Sequence, residues 1–451
     1  IYHGNKVLPY CPRCGTELSQ NEVSQGYQQD SVNTVIVPLK LVDEDCYLLV
    51  WTTTPWTLID NVATCVNPEY DYIKASSKGY NFIVGKTLAD KVLGDDYEVL
   101  ETYKGVDLVG KKYCQLMPFA KVEGKAFEVL ADSYVTAEDG TGIVHIAPAY
   151  GEDDSRVAKA NGISFSQSVN KDGCYTVGPW EGRVVTDSEL ELDIIKYLKE
   201  NDKLFKKQKI THDYPHCWRC KKPIIFRATK QWFVSIDKFR ADSLKAIKNV
   251  KWVPAWGEDR ISKMIEERND WCISRQRTWG VPLPIFYCKN CEKEYVTDSS
   301  MEKVINLVKE HGTNCWFDMD AKDLLPADAK CPECGCTEFT KESDIMDVWF
   351  DSGSTHQSCL AQRGLPKADL YLEGADQYRG WFQSSLLTSI AVTGDAPYKE
   401  VLTHGWTVDA QGRQMHKSLG NGIDPQEVID QYGADILRLW ALSSDYQSDV
   451  R

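Results

Sequence analysis

Two pairs of closely spaced cysteines stand at the borders of a long segment, residues 15–216. Cys11 and Cys14 belong to the motif Cys-Pro-Arg-Cys-Gly, and Cys217 and Cys220 belong to the motif Cys-Trp-Arg-Cys. Four thiolates with this spacing are typical ligands of one tetrahedral Zn²⁺ ion. We therefore predict that both motifs bind one zinc ion, which would hold the two ends of the segment together.

A second group of cysteines with similar spacing occurs further along the chain. Cys288 and Cys291 form one pair, and Cys331 and Cys334 form the other, with Cys336 competing with Cys331 or Cys334 for the last position. Neither group shows the open coordination position of a catalytic metal, so we expect structural zinc in both. The alternative is that these thiols bind no metal.

Hydroxyl and carboxylate side chains form a further chemical pattern. Residues 51–58 have the sequence Trp-Thr-Thr-Thr-Pro-Trp-Thr-Leu, and residues 140–154 have the sequence Gly-Thr-Gly-Ile-Val-His-Ile-Ala-Pro-Ala-Tyr-Gly-Glu-Asp-Asp. The threonines place several hydroxyls and backbone amides at the end of a predicted strand. A carboxylate at Asp154 could bind an ammonium group by a charge-assisted hydrogen bond. Taken alone, the two patterns are more typical of an ordinary strand and an ordinary helix start.

Together the two motifs closely resemble the editing domain of isoleucyl-tRNA synthetases, which are class I aminoacyl-tRNA synthetases. The resemblance implies a pocket formed by Thr52, Thr53, Thr54, Thr57, His145 and Asp154. In this pocket the threonines would bind the terminal adenosine of tRNA, and His145 would restrict the side chain admitted. Asp154 would hold the amino group. Nothing in the motifs suggests a metal or a covalent nucleophile, so a positioned water would carry out the hydrolysis.

Three later motifs, at residues 271–280, 347–353 and 371–382, resemble the second half of the Rossmann-type catalytic domain of the same family. By this resemblance the residues that hold the aminoacyl-adenylate are Glu373, Asp376 and Gln377. Trp349 and Trp381 would form the walls of the aliphatic pocket. The alternative for both tryptophans is an ordinary place in the core.

Residues 414–418 resemble the mobile phosphate loop of the family, with one departure. The family pattern is Lys-Met-Ser-Lys-Ser, whereas this chain has Gln414, Met415, His416, Lys417 and Ser418. Lys417 would neutralise charge that builds up on the phosphates of ATP, with Ser418 as a substrate-binding neighbour. Because Gln414 replaces a lysine, we expect slower activation, which His416 could partly offset at lower pH.

Local patterns predict the elements that carry these motifs. Residues 34–42 and 46–51 are predicted strands that lead into the threonines. Asp139-Gly140 predicts a hairpin that joins Tyr134-Val135 to a strand at 143–146. Residues 186–189 resemble a capping box that opens a helix.

The second half of the chain has an α/β pattern. An apolar stripe at residues 301–308 predicts a helix that ends at Gly312. Residues 369–373 and 400–404 are predicted strands with polar groups at their C-terminal ends, where open parallel sheets bind ligands. Asp424-Pro425 predicts a helix start, with aspartate as the N-cap.

We therefore predict a multi-domain α/β protein in which a β-rich editing domain is inserted into the second half of a Rossmann-type catalytic domain, with zinc-knuckle modules. The predicted parts are a zinc knuckle and stalk at 1–25, the editing domain at 26–212, the returning stalk at 213–230, the catalytic half at 231–430 with a zinc-binding insertion at about 286–340, and the start of a helical stem-contact region at 431–451.

Composition limits the class of protein. The 451 residues are 42% hydrophobic and 26% charged, with no apolar run of membrane-spanning length and no signal peptide, so we expect a cytoplasmic protein without membrane association. We also expect a monomer. The net charge of −14 argues against a generic nucleic-acid coat, so RNA contact must be local. The most basic stretch is 196–209, followed by Arg219 and Arg227; it is equally typical of a solvated helix face.

The function predicted for the longer protein is charging of the isoleucine acceptor tRNA with isoleucine, using ATP and Mg²⁺. The inserted domain would hydrolyse mischarged valyl-tRNA. We expect a fragment of this longer protein. The His-Ile-Gly-His element of the family does not occur in this sequence, so we expect that the fragment forms no adenylate alone. A non-catalytic, zinc-stabilised RNA-binding module is the alternative. A valine or leucine synthetase fragment is disfavoured by Trp56 and by Arg277-Thr278-Trp279.

Overall fold

The structure is a computed structural model that describes residues 1–365, 367–416 and 420–451. It divides into two compact units. The N-terminal unit is His3–Gln231, and the C-terminal unit is Trp232–Arg451 together with Ile1–Tyr2. Within the described part of the chain, we find no helix with both the length and the apolar character needed to cross a bilayer.

The first part of the chain is rich in strands. In chain order the elements are β1 (Tyr2–Cys11), β2 (Thr16–Glu17), α1 (Gln20–Ser24), β3 (Tyr27–Lys40), β4 (Tyr47–Thr52), β5 (Ala63–Val66), β6 (Asp71–Ser77), β7 (Tyr80–Gly85), α2 (Ala89–Leu93), β8 (Glu98–Lys104), α3 (Gly105–Leu108), β9 (Glu128–Ala131), β10 (Ile143–Ile146), α4 (Glu152–Ala160), α5 (Ser188–Glu200), β11 (Lys206–Pro215) and β12 (Ile225–Val234).

A nine-stranded sheet is the frame of the N-terminal unit. Seven strands follow the order β8-β6-β7-β4-β10-β5-β9, and β3 pairs with both β4 and β11. On one face of the sheet, Ile146 of β10 and Cys65 of β5 pack with Val157 of α4. Ile143 belongs to the larger apolar core that also contains Leu58. Because both faces of β10 are covered, its register is strongly determined.

The two strands that lead into the predicted pocket run side by side. β10 is parallel to β4, with Val144 opposite Trp51. On its other side β10 pairs with β5 in antiparallel register, from Ile143 opposite Val66 to Ile146 opposite Ala63. Parallel pairing puts the C-terminal ends of β4 and β10 at the same edge of the sheet.

The hairpin predicted at Asp139-Gly140 is wrong. The strand at 143–146 exists as β10, but Tyr134 and Val135 lie outside any strand. β4 and β5 already occupy both edges of β10. The Val135 carbonyl instead accepts a hydrogen bond from Asn67 Nδ2 at 2.9 Å.

The predicted helix after residue 186 is confirmed as α5, but its cap differs from the prediction. Asp187 is the N-cap, and its carboxylate accepts a hydrogen bond from the Glu189 amide at 3.0 Å. Because α5 begins one residue later than expected, Thr186 lies outside the cap. The apolar face of α5, formed by Leu190, Ile194, Ile195 and Leu198, is buried.

The second part of the chain alternates helices with short strands. Its elements are α6 (Arg240–Ile247), β13 (Lys251–Val253), α7 (Trp256–Glu266), β14 (Trp271–Cys272), β15 (Ser274–Arg275), β16 (Phe286–Cys288), β17 (Glu294–Tyr295), α8 (Asp298–His311), α9 (Cys315–Asp318), α10 (Ala321–Leu324), β18 (Phe339–Lys341), β19 (Ile345–Met346), α11 (Val348–Gly353), β20 (Ala368–Gly374), α12 (Trp381–Thr393), β21 (Tyr398–His404), α13 (Pro425–Tyr432) and α14 (Ala434–Ser443).

Several predictions for this part are confirmed. The two predicted strands are β20 and β21, which are parallel neighbours, and β13 extends their sheet in parallel. α8 ends at Gly312, whose φ of 75° suits glycine. α13 has Asp424 as its N-cap, and the Asp424 side chain accepts a hydrogen bond from the Gln426 amide.

A buried ion pair joins two short elements of the C-terminal unit. Arg275 of β15 lies 3.0 Å from the carboxylate of Asp347, and both side chains are nearly fully buried. The same carboxylate accepts a hydrogen bond from Trp271 Nε1 at 2.9 Å and caps α11. Removing one partner of a buried ion pair is strongly destabilising.

We predict that Asp347→Ala lowers the free energy of unfolding by about 3–5 kcal/mol, because the buried Arg275 loses the carboxylate that lies 3.0 Å away and Trp271 Nε1 loses its acceptor. Urea titration of the whole chain, followed by tryptophan fluorescence, measures this loss. The control is Arg438→Ala, which breaks the exposed pair between Arg438 and Asp435 and should change stability very little. Equal effects of the two substitutions would contradict the role given to Asp347.

Candidate functional site

A chain of hydroxyl groups begins where β4 ends. Thr52 Oγ1 lies 3.3 Å from Thr54 Oγ1, which lies 3.2 Å from Thr57 Oγ1. Thr57 is part of a 3₁₀ turn, Pro55–Asp60, whose first residue is the proline that follows Thr54. Thr53 lies between the linked residues and is half-buried. Hydrogen bonds among the hydroxyls therefore hold three of the four predicted threonines together.

His145 of β10 is the last member of this hydrogen-bonded series. Its Nε2 lies 3.0 Å from Thr57 Oγ1, while the Thr57 hydroxyl lies 2.9 Å from the Thr54 carbonyl oxygen. Because that carbonyl can only accept, the Thr57 hydroxyl donates to it. His145 Nε2 must then carry a proton and donate to Thr57 Oγ1. Burial lowers the pKa of His145 to about 4, so the imidazole is neutral near pH 7. Nδ1 is buried and has no hydrogen-bond partner among the described residues.

Asp154 lies in the first turn of α4 and is half-buried. Its Oδ2 accepts a hydrogen bond from the Ala147 amide at 2.9 Å, just beyond the end of β10. Burial raises the pKa of Asp154 to about 7, the Ala147 amide opposes the rise, and the neighbouring Asp153 adds to it. Arg156 pairs with Asp132 and Asp153. Within the described ranges, no cation pairs with Asp154.

Two features that hold Asp154 were not predicted from the sequence. One is the backbone amide of Ala147, which no side-chain pattern could reveal. The other is Gly151, the N-cap of α4, where an added Cβ would stand 2.7 Å from Asp154 Cγ. A glycine directly before an acidic helix start was the available signal for this close approach.

The parallel pairing of β4 and β10 brings the predicted groups to one edge of the sheet. The threonines follow β4, and Ala147 and the Asp154 helix follow β10. Among the described residues, Thr57 contacts His145, and the Asp154 carboxylate, which has no cationic partner there, is held by the Ala147 amide; no hydrogen bond joins Asp154 to the threonines or to His145. Chemically, this set can bind a ligand that carries hydroxyls and an ammonium group.

The four cysteines of the first predicted zinc group are close together in the N-terminal unit. Cys11 Sγ lies 3.6 Å from Cys220 Sγ, and Cys14 Sγ lies 4.0 Å from Cys217 Sγ. All four sulfurs lie within 4.8 Å of one another. A tetrahedral zinc site with bonds of about 2.3 Å requires sulfurs about 3.8 Å apart, so the donor set fits Zn²⁺.

The second group, in the C-terminal unit, has the same arrangement. Cys288 Sγ lies 3.4 Å from Cys334 Sγ, and Cys291 Sγ lies 3.6 Å from Cys331 Sγ. Cys336, the competing candidate, is outside this group, and its Sγ contacts the Glu338 backbone instead. This group also fits the tetrahedral thiolate set that zinc requires.

The predicted tryptophans of the C-terminal unit meet around Gly380. Trp381 stacks on Tyr371 with ring centroids 3.9 Å apart, and its Nε1 donates a hydrogen bond to the Ser352 carbonyl. Trp349 lies so close to Gly380 that an added Cβ there would stand 2.9 Å from its ring. Both tryptophans are only partly buried at the rim of the core, which leaves part of each ring accessible.

The predicted polar residues follow β20 at its C-terminal end. Glu373 is exposed and lies opposite Thr403 of β21, and Asp376 is exposed in the next turn. Gln377 Nε2 donates a hydrogen bond to Asp376 at 3.1 Å, and Gln377 Oε1 accepts one from the Trp381 amide at 2.8 Å. Gln377 thus links Asp376 to the start of α12, while Glu373 lies at the C-terminal end of β20.

The predicted phosphate loop is described only in part, since Lys417 and Ser418 lie outside the described residues. Gln414 forms a bridge to Val408, and the His416 amide donates a hydrogen bond to Asn421 Oδ1 at 2.9 Å. Asn421 in turn donates to Asp409 at 2.9 Å. Asp409 and Asn421 thus join the two ends of the loop.

Comparison with known proteins gives consistent results. The family described as tRNA synthetases class I (I, L, M and V) matches residues 1–451. The isoleucine–tRNA ligase of Caldicellulosiruptor saccharolyticus is 46% identical over all of this chain, which covers 50% of that protein. The isoleucine–tRNA ligase of Desulforamulus reducens is 47% identical, with 49% of it covered. The chain spans about half the length of the curated relatives it matches.

A solved LeuRS–tRNA–LeuAMS ternary complex from Agrobacterium radiobacter K84 matches 100% of this chain and 54% of that chain, at 17% identity and a TM-score of 0.36. The match of the family over the full chain and the identity with the two ligases are the decisive findings. The chain belongs to the class I tRNA synthetases of the isoleucine, leucine, methionine and valine group.

Proposed function

We propose that the N-terminal unit hydrolyses valine esterified to the isoleucine acceptor tRNA, within a protein that charges this tRNA with isoleucine. The observation that supports this most directly is the half-buried Asp154 carboxylate, which has no cationic partner among the described residues. Asp154 follows β10, and the strand beside β10 is β4, which ends at the linked hydroxyls of Thr52, Thr54 and Thr57.

In the proposed reaction Asp154 binds the α-ammonium group of the aminoacyl ester. An ammonium group at this carboxylate favours its ionised form, which burial alone disfavours. The threonine hydroxyls hold the terminal adenosine and orient the attacking water. The water oxygen forms a bond to the ester carbon, and the tRNA hydroxyl leaves with a proton. The hydrogen-bonded turn keeps these hydroxyls in fixed positions, which favours the reaction by orientation.

His145 sets the size of the side chain admitted in this proposal. Its imidazole is buried, neutral and fixed by Thr57, so it serves as a wall rather than as a charged group. One methylene in an apolar pocket is worth only about 1–3 kcal/mol, a magnitude measured on isoleucine enzymes of this very family. A second pocket that excludes the larger side chain supplies the remaining discrimination.

The C-terminal unit is proposed to be the second half of a Rossmann-type catalytic domain, into which the β-rich unit is inserted. Its adenylate-binding residues would be Glu373, Asp376 and Gln377, with Trp349 and Trp381 as walls of the isoleucine pocket. ATP and Mg²⁺ would serve the charging reaction, with Lys417 and Ser418 at the phosphates. Because the sequence contains no His-Ile-Gly-His element, we expect no adenylate from these residues alone.

Both cysteine groups are proposed to hold structural zinc. When bound, the ion would join segments that are distant in sequence and would stabilise their fold. The remaining proposals concern partners. We propose that tRNA contact is local and includes basic residues between 196 and 227, and that the protein is a monomer.

We predict that Asp154→Ala lowers the single-turnover rate of valyl-tRNA hydrolysis by about 100-fold, because the ester loses its anchor. The substrate is isoleucine acceptor tRNA charged with radiolabelled valine, and loss of label from the RNA is followed over time. The matched control is Asp153→Ala, one residue earlier, whose exposed carboxylate pairs with Arg156. The control should change the rate by less than about twofold.

Hydrolysis by Asp154→Ala at the wild-type rate would rule out this carboxylate as the ammonium anchor. Binding of the RNA by the wild-type chain without any hydrolysis would favour the alternative, a non-catalytic RNA-binding module.

Metal content provides a separate prediction. The wild-type chain should contain two zinc ions, one for each cysteine group. Cys217→Ser and Cys334→Ser should each lower the content to one ion, because a thiolate ligand is lost. The control is Cys336→Ser, which should retain both ions. Mass spectrometry of dialysed protein measures the zinc, and a loss caused by Cys336→Ser would contradict the assigned ligands.

A further inference from the structure

Asp60 is a fully buried carboxylate at the end of the turn that carries Thr57. It accepts hydrogen bonds from Tyr150 Oη at 2.6 Å, from the Ser168 amide at 2.8 Å and from Ser168 Oγ at 2.7 Å. Ser166 Oγ donates a further one. All of these donors are neutral. A buried carboxylate is costly unless its lone pairs are satisfied, so this arrangement is a specific one.

One hydrogen-bond partner of Asp60, Tyr150, belongs to the loop that leads to Asp154. Tyr150 lies between Ala147, whose amide holds the Asp154 carboxylate, and Gly151, the N-cap of α4. The Tyr150 amide donates a hydrogen bond to the Ala147 carbonyl at 2.9 Å. A displacement of Tyr150 would therefore move the loop that positions Asp154.

Tyr150 also contacts the threonine side of the site. Its ring packs edge to face on Trp56, with centroids 4.8 Å apart, and Trp56 lies in the same turn as Thr57. The Tyr150 hydroxyl accepts hydrogen bonds from the Ser168 and Val169 amides at 3.1 Å. The hydroxyl of Tyr150 is thus fixed both by Asp60 and by the segment after α4.

We propose that Asp60 is a positioning residue of the hydrolytic site. Through Tyr150 its carboxylate joins the turn that carries Thr54 and Thr57 to the loop that carries Asp154. It thereby sets the separation between the hydroxyl chain and the ammonium-binding carboxylate. This inference rests on the hydrolytic function proposed above, and it adds a residue that touches neither the substrate nor the reacting atoms.

The neighbouring residue provides a natural comparison. Asn61 is also buried, and its Oδ1 accepts a hydrogen bond from Tyr113 Oη at 2.7 Å. Its Nδ2 donates to the Ala63 carbonyl at 2.9 Å. Neither Tyr113 nor Ala63 belongs to the loop at 147–154. Tyr113→Phe and Tyr150→Phe therefore remove equivalent buried hydroxyls, but only Tyr150→Phe acts on the link to Asp154.

The experiment measures single-turnover hydrolysis of valyl-tRNA by the whole chain, as the maximal rate constant and the half-saturating enzyme concentration, together with stability in urea. Tyr150→Phe and Ser168→Ala should lower the maximal rate constant about 10- to 100-fold with less than about a twofold change in half-saturation. Tyr113→Phe should lower the free energy of unfolding about as much as Tyr150→Phe does, but its rate constant should stay within about twofold of the wild-type value. These single-hydroxyl variants are used because Asp60→Ala could fail to fold.

Two results would overturn the proposal while leaving the hydrolytic function intact. One is a wild-type rate constant for Tyr150→Phe when Asp154→Ala is inactive. The other is an equal fall in rate for Tyr150→Phe and Tyr113→Phe, which would indicate a general structural effect. If the wild-type chain itself hydrolysed no ester, the proposed function would fail, and the positioning role of Asp60 would fail with it.

Discussion

The parallel contact between β4 and β10 is the constraint on which the candidate site depends. It places Val144 opposite Trp51, so the chain leaves both strands at the same edge of the sheet. A shift of one residue in this register would turn His145 to the opposite face and away from Thr57. The buried core on both faces of β10 opposes such a shift. The chemistry proposed for the N-terminal unit is thus a consequence of strand register.

Within this frame, burial gives the polar groups different tasks. His145 is buried, so its pKa falls and it stays neutral. Burial raises the pKa of Asp154 to about 7, and the carboxylate lacks a cationic partner among the described residues. A ligand with an ammonium group can therefore supply the missing positive charge. Asp60 differs from both, because several neutral donors satisfy its carboxylate. Burial thus contributes to three different proposed roles: His145 as a wall, Asp154 as a binding group and Asp60 as a positioning group.

Local patterns in the sequence were sufficient for much of this structure. Cysteine spacing predicted two groups that the structure brings together, and local strand patterns predicted β4, β20 and β21. The wrong hairpin at 139–140 has a physical reason: which strands pair with β10 is decided by distant residues of β4 and β5. Asp60 and the Ala147 amide were missed because a buried acid in an apolar turn and a backbone donor leave no local pattern.

The most direct test of the account is an experimental structure of the chain with a non-hydrolysable valyl-adenosine analogue, in which an amide replaces the ester. We expect the ammonium group at the Asp154 carboxylate, at a distance of about 2.7–2.9 Å, and the adenosine beside Thr52, Thr54 and Thr57. Binding of the analogue at this edge with its ammonium group in solvent, or binding elsewhere on the unit, would show that Asp154 is not the ammonium-binding group.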